Sequence, residues 1–470
     1  MNMQSLALLI YITMIITISL VANSNVKTGS DFILGGRSSN AITTALGAGV
    51  ADMSGWVMMA LPGLVFREGA CTIWYIAGLF IGAFLNWVLV AKKLRIATEQ
   101  LNDSQTLSSY FNNRFNDTKG DIKILVAICT TIFYIIYMSS ALVALAFFVE
   151  KIFGIDYNKA LLISSVFIIG YVSLGGFTAI NWVDIMQGIL MLAALIIVPV
   201  SMMAKISIGV LPDIKLLDGI GSSSNNMDIS VLVTSLAWGL GYFGQPHILT
   251  RFMAIRNVGE IKISAIICLG WMALSLIGAF CTGLFGRVLF PHILNPEVIF
   301  LQSAETLLHP LFIGVVFAAV LASIISSVAA QLHTTSSTIV EDVVCSSVQI
   351  QGQSKIIYLR MTTVLLIIFS FLVALNPNTT VLELVTLAWS GLGSSIGPTL
   401  LFSLHARRMT KKTAMWGVLT GAVVTTVWYF ASSNNVMFRF YTIIPGFLFS
   451  SLVIALRNFY DKTKLAHQLP

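Results

Sequence analysis

Apolar runs of membrane-spanning length alternate with short polar breaks along almost the whole chain. About twenty apolar residues in a helix rise roughly 30 Å, the thickness of a bilayer's hydrocarbon core. The runs predict helical spans near 4–23, 41–66, 69–91, 122–149, 159–177, 181–204, 229–249, 262–286, 308–334, 357–375, 380–404, 413–432 and 440–456. This is the pattern of an all-α polytopic membrane protein with about 13 transmembrane helices. An odd number of spans puts the two termini on opposite sides of the membrane.

Composition sharpens that reading. The 470 residues are 57% hydrophobic and only 10% charged, with a mean hydropathy of +0.88. A soluble domain of this size does not look like that. The first run has no basic segment before it and is longer than the apolar part of a secretory leader, so it is expected to be a retained span. The longest polar stretches, 92–121 and 205–228, have the size of loops, and no soluble domain is expected.

The net charge of +7 is explained by its distribution. Lys and Arg in alternate loops and flanks number 20 on one side (including Lys27, Arg37, Arg251 and Arg407) and 7 on the other (Arg67, Lys151, Lys159, Lys205, Lys215, Arg287 and Arg439). Cytoplasmic loops carry the excess, which predicts an N-terminus outside and a cytoplasmic C-terminus. A nucleic-acid surface would cluster these charges instead. The five cysteines are scattered without metal-ligand or disulfide spacing and are expected to be packing residues.

Three stretches break the apolar pattern. In GAGVADMSGW (47–56), Gly47, Gly49 and Gly55 surround Asp52. Glycines alone let membrane helices approach closely. A mid-membrane carboxylate is costly and usually faces a cavity or pathway. Unwound backbone at that depth needs partners for its carbonyls, and a small hard cation is one. In LAWGLGYFGQPHI (236–248), Gly239, Gly241, Gly244 and Pro246 interrupt a second span, and Trp238, Tyr242 and Pro246 share a face if α-helix persists there. In LASIISSVAAQL (321–332), Ser323, Ser326 and Ser327 lie on one helical face. Such serines often bond the carbonyl one turn back. Opposite a broken helix that carries an aspartate, they are candidate cation ligands. The broken spans are the second and the seventh, as expected of two five-span repeats whose interrupted helices form the binding site.

These residues resemble the sodium:solute symporter family, within it the branch that carries proline. LGGRSSNAITTALGAGVADMSGW (34–56), LAWGLGYFGQPHILTRFMA (236–254) and QLHTTSSTIVED (331–342) stand in the family's order. The resemblance implies a leucine-transporter-type five-plus-five inverted-repeat core: 1–40 holds the first span and a cytoplasmic loop, 41–204 and 205–404 the two repeats, and 405–470 two further spans and a tail. It implies sodium-coupled uptake of L-proline by alternating access in the bacterial inner membrane, with no cofactor beyond the coupling ion and no obligate protein partner. The family's sodium site falls on the carbonyls of Val50, Met53 and Ser323 and the hydroxyls of Ser326 and Ser327; Ser327 stands where the proline carriers have threonine. Asp52 and Asp184 match acidic residues tied to sodium coupling, although Asp184 also reads as a solvated helix-end charge. Trp56, Tyr137, Trp238, Tyr242 and Pro246 match the substrate pocket.

Other functions fit less well. Another small solute in the same family is the nearest rival. A transporter-like sensor would usually carry a kinase module after its bundle, whereas this chain ends shortly after its last span. His333 and the serines suggest a nucleophile, but no GxSxG, HExxH or Walker A pattern appears, so no enzyme is expected. His247 and His405 lie near predicted membrane edges and are expected to be interfacial.

Overall fold

A computed structural model describes residues 3–23, 29–174, 176–207, 229–345, 350, 353–376, 380–406, 408–432 and 440–466. Lys27, Lys215, Arg407, Arg439 and nearly all of the loop 205–228 lie outside them. The described residues are helical almost throughout, and a helix or a broken helical pair overlies each predicted span. Nine helical stretches among them are long and apolar enough to cross a membrane, and the shorter apolar Leu6–Val21, Tyr157–Val172 and Ile229–Gly244 fall on the first, fifth and seventh predicted spans.

The helices that carry the argument are α1 (Met3–Asn23), α2 (Ala41–Asp52), α3 (Leu61–Glu68), α4 (Ile73–Asn86), α5 (Asp121–Phe153), α6 (Tyr157–Leu174), α7 (Phe177–Ser207), α8 (Ile229–Ala237), α9 (Pro246–Ala254), α10 (Ile261–Leu289), α11 (Pro310–Ile339), α12 (Gln353–Ala374), α13 (Val381–His405), α14 (Lys411–Ser432) and α15 (Ile443–Ala466). α2 and α3 are the halves of one broken span, and α8 and α9 the halves of the other. α7, α9, α10 and α11 pack around α2, while α4 and α13 pack on the segment between α8 and α9.

Burial separates centre from rim. The apolar windows of α11 and α13 are each 83% buried, against 28% for α14 and α15. A helix apolar all round belongs either inside a bundle or against lipid, and here both kinds occur. The rim helices turn large apolar side chains such as Val423, Val427 and Leu448 outward.

The polar stretch 92–121 differs from a simple loop. It folds into two short helices, Lys92–Gln100 and Leu107–Arg114, the second started by a capping box at Thr106 and Ser109. Arg95 is buried there and donates to the carbonyl of Ile255, just past α9. Basic residues counted as loop charges are therefore partly built into the bundle.

Candidate functional site

The break in the second span is a change of backbone bonding. In a continuous helix Ser54 N–H would reach the Val50 carbonyl and Val57 N–H the Met53 carbonyl. Instead Ser54 N–H bonds the Asp52 carbonyl and Val57 N–H bonds that of Ser54. Met53 leaves helical geometry at φ −84°, ψ 76°. The Val50 and Met53 carbonyls are thus turned out of the helical ladder, and these are the two backbone oxygens of this span assigned to a cation. Trp56 opens the following helical turn, and its indole N–H donates to the Asp52 carbonyl at 3.0 Å.

α11 completes the oxygen cluster. Ser326 Oγ lies 3.3 Å from the Val50 carbonyl and 3.1 Å from that of Ser323. Ser327 is fully buried and its hydroxyl has no hydrogen-bond partner among the described residues. Ser326 therefore joins the Val50 carbonyl, where α2 ends against α11, to the Ser323 carbonyl, with Ser327 next to it in the chain. Hard cations such as sodium favour oxygen donors of this kind. Among the described residues no group of three or more His, Cys, Asp or Glu residues is placed to hold a metal; the oxygens gathered here are carbonyls and hydroxyls. Ser326→Ala and Ser327→Ala are each expected to raise the sodium concentration for half-maximal transport several-fold, with the double variant higher still. Sodium titration of initial uptake rates checks this, and normal expression with unchanged activation would make both serines packing residues.

The second broken span meets the first at Asp52. Tyr242 Oη donates to Asp52 Oδ2 at 2.6 Å. The carboxylate is buried, and its Oδ1 has no partner among the described residues. Residues 238–244 form a 3₁₀ stretch, Gln245 is extended, and Pro246 starts α9 where its missing N–H costs nothing. Unwound carbonyls at membrane depth need other donors, and side chains supply them. Trp389 donates to the Trp238 carbonyl at 2.9 Å and Asn86 to that of Tyr242 at 3.1 Å. A Cβ on Gly241 would overlap the Trp389 indole, and one on Gly239 the backbone of Gly78. Both glycines are thus required by close approach.

The 3₁₀ stretch changes one expectation. At three residues per turn, Trp238 and Tyr242 do not share a face. Tyr242 points to Asp52, whereas Trp238 stacks on Tyr441 with centroids 4.8 Å apart. Trp389 touches both residues, its ring standing edge-on to Tyr242 at 5.1 Å. Tyr137 is buried beside His247, with ring centroids 6.2 Å apart.

His247 and Arg251 correct the sequence reading. His247 is not interfacial; it is fully buried, with Nδ1 2.8 Å from Tyr134 Oη. Arg251 is not a loop charge either. It is 2% exposed, with Nη2 3.0 Å from Asp184 Oδ2, Nη1 on Asn181, and its guanidinium 4.8 Å over the Phe177 ring. Hydropathy ends a span at its first charge, but α9 runs inward through both residues. Asp184, fully buried in this pair, is not a solvated helix-end charge. His405 is exposed, as expected of an interfacial residue, and His333 Nε2 lies 3.1 Å from the Ile33 carbonyl.

The profile of the sodium:solute symporter family matches residues 32–421. The chain belongs to the sodium:solute symporter family. The sodium/proline symporter of Escherichia coli K12 is 38% identical over 474 residues, 97% of this chain and 93% of that one. The osmoregulated proline transporter OpuE of Bacillus subtilis is 37% identical over 437 residues, 90% and 88% of the two chains. A substrate-bound, outward-open sodium-coupled sialic acid symporter superposes with a TM-score of 0.77 at 16% identity, covering 97% of this chain and 98% of that one. The symporter fold here is thus the all-α leucine-transporter type, in a multi-pass membrane protein.

Proposed function

We propose that this symporter carries out sodium-coupled uptake of L-proline by alternating access. One observation carries the reading: Tyr242 on one broken span donates to Asp52 on the other, two residues from the Val50 carbonyl that faces Ser326. A substrate-pocket residue therefore bonds a carboxylate two residues along the chain from the cation cluster, which gives sodium and substrate a physical route to affect each other's binding. Such coupling is reciprocal. The relatives named as proline carriers support the substrate.

In this reading sodium binds the carbonyls of Val50, Met53 and Ser323 and the hydroxyls of Ser326 and Ser327, with Asp52 supplying negative charge. Asp184 tunes sodium affinity through its pair with Arg251. Trp56, Tyr137, Tyr242 and Pro246 wall the pocket, with Trp238 behind Tyr242 through their shared neighbour Trp389; aromatic faces suit a pyrrolidine ring and half-helix ends suit the charged groups of an amino acid. Residues 41–204 and 205–404 form the two repeats within thirteen crossings. The N-terminus faces outward and the C-terminus the cytoplasm of a bacterial inner membrane. The coupling ion is the sole inorganic requirement, and no catalytic step is assigned.

Radiolabelled proline uptake into proteoliposomes, with and without an inward sodium gradient and against competing solutes, tests the reading. Accumulation should require sodium and be displaced by proline. Sodium-driven uptake of a sugar, sialic acid or pantothenate in place of proline would overturn the substrate and leave the symporter.

The pocket also carries a residue-level expectation. Losing an aromatic wall removes apolar contact at roughly 25 cal/mol per Å², about 1–3 kcal/mol or one to two decades in affinity. Trp238→Ala, which acts on that wall only through Trp389, should weaken proline binding by less than this while sodium affinity without proline stays near wild type. Tyr242→Ala should weaken both, because it also removes the Asp52 hydrogen bond. Equal sodium affinities in the two variants would separate Tyr242 from the cation site.

A further inference from the structure

The first helix lies outside both broken spans, yet it contributes a polar group to the interior. α1 packs against α7, which carries Asp184, and α11, which carries the three serines. Its buried residues Leu8, Tyr11, Ile15 and Ser19 recur at helical spacing, and the neighbouring Leu9 and Ile10 are exposed. Three of the four fit an ordinary packing stripe. Tyr11 is the exception. It is 4% exposed, and its Oη accepts a hydrogen bond from Gln187 Nε2 at 2.7 Å.

Gln187 is one helical turn from Asp184, on the same face of α7. Both are fully buried. Gln187 Oε1, Asp184 Oδ1 and Arg251 Nε have no hydrogen-bond partner among the described residues. As acceptor from Gln187, the Tyr11 hydroxyl keeps its own proton to donate. Asp184 lies within electrostatic reach of Tyr11 and of buried Tyr171 on α6. A hydroxyl from the outer helix thus reaches a row formed by Asn181, Asp184 and Gln187, which Arg251 closes from α9.

We infer that Tyr11 is a positioning residue for sodium coupling: its hydroxyl fixes Gln187 within the buried polar row that holds Asp184 beside Arg251. The inference rests on the sodium-coupled reading above. The competing account is plain packing, since interhelical hydrogen bonds between polar side chains also hold membrane helices together. The two accounts differ in what they move. Packing alters stability and the amount of folded protein, whereas positioning alters the sodium dependence of transport.

Tyr11→Phe removes the hydroxyl and keeps the ring. The full chain in proteoliposomes is assayed for proline uptake over a sodium titration, alongside its melting midpoint in detergent. The half-saturating sodium concentration should rise three- to tenfold, with Vmax at saturating sodium and the melting midpoint close to wild type. Gln187→Met should reproduce the shift, and the double variant should exceed neither single variant, because both break one contact. An unshifted sodium titration in folded Tyr11→Phe overturns the inference, as does a lowered melting midpoint without that shift. If Tyr11→Phe does not fold, Gln187→Met decides by the same criteria. A wild-type protein lacking sodium-activated uptake overturns the coupling reading itself, a failure told apart by its appearance in every variant.

Discussion

Asp52→Asn should lower sodium-driven proline uptake at least a hundredfold without lowering the amount of folded protein. Asparagine keeps the size of the side chain and an oxygen that Tyr242 can bond. What it removes is a negative charge at a buried position whose Oδ1 has no partner among the described residues. Two opposite charges about 4 Å apart attract by about 4 kcal/mol at an effective dielectric of 20, close to three decades of sodium affinity. At ~6 Å the attraction is still about 2.8 kcal/mol, or about two decades, so direct ligation is not required. Uptake over a sodium titration checks the expectation, and wild-type sodium activation in Asp52→Asn would remove the carboxylate from the coupling scheme. Tyr242→Phe serves as its partner. It removes the hydrogen bond and leaves the charge, so its effect on sodium should be smaller.

Much of this site was legible in the chain because its signals are local. A carboxylate among glycines announced the break at 53–54, and serines at helical spacing announced a face of α11. The family resemblance supplied the carbonyls of Val50 and Met53, and the rerouted bonds of Ser54 and Val57 leave those two oxygens out of the helical ladder. What could not be read depends on distance or on local geometry. The bond between Tyr242 and Asp52 joins residues 190 apart in sequence. Trp238 was assigned a face by α-helical spacing, and a 3₁₀ stretch rotates it away. Arg251 was assigned to a loop because a charge ends a hydropathy window, but three specific contacts offset its burial. Tyr11 has no sequence signal at all. An amphipathic side chain in a first span looks like an interfacial anchor, and only the position of Gln187 shows otherwise.

The pair of Arg251 with Asp184 yields the second large effect, and its sign depends on whether one partner or both are changed. Breaking a buried ion pair by removing one member leaves an uncompensated charge and costs about 3–5 kcal/mol. Arg251→Met should therefore lower the melting midpoint in detergent and the amount of protein in the membrane, because Asp184 is fully buried and loses its cationic partner. Arg251→Lys should recover only part of the loss. One ammonium cannot bond Asp184 and Asn181 in the fork geometry of a guanidinium while lying flat over Phe177. The variant Arg251→Met/Asp184→Leu removes both charges, and apolar replacement of a whole buried pair is often neutral or stabilising. Its melting midpoint should return towards wild type. Its sodium-driven uptake should stay at least tenfold down, because the carboxylate proposed to tune sodium affinity is gone. Recovery of transport together with stability would show that the pair serves folding alone, and a single variant as stable as wild type would show that Asp184 does not depend on Arg251.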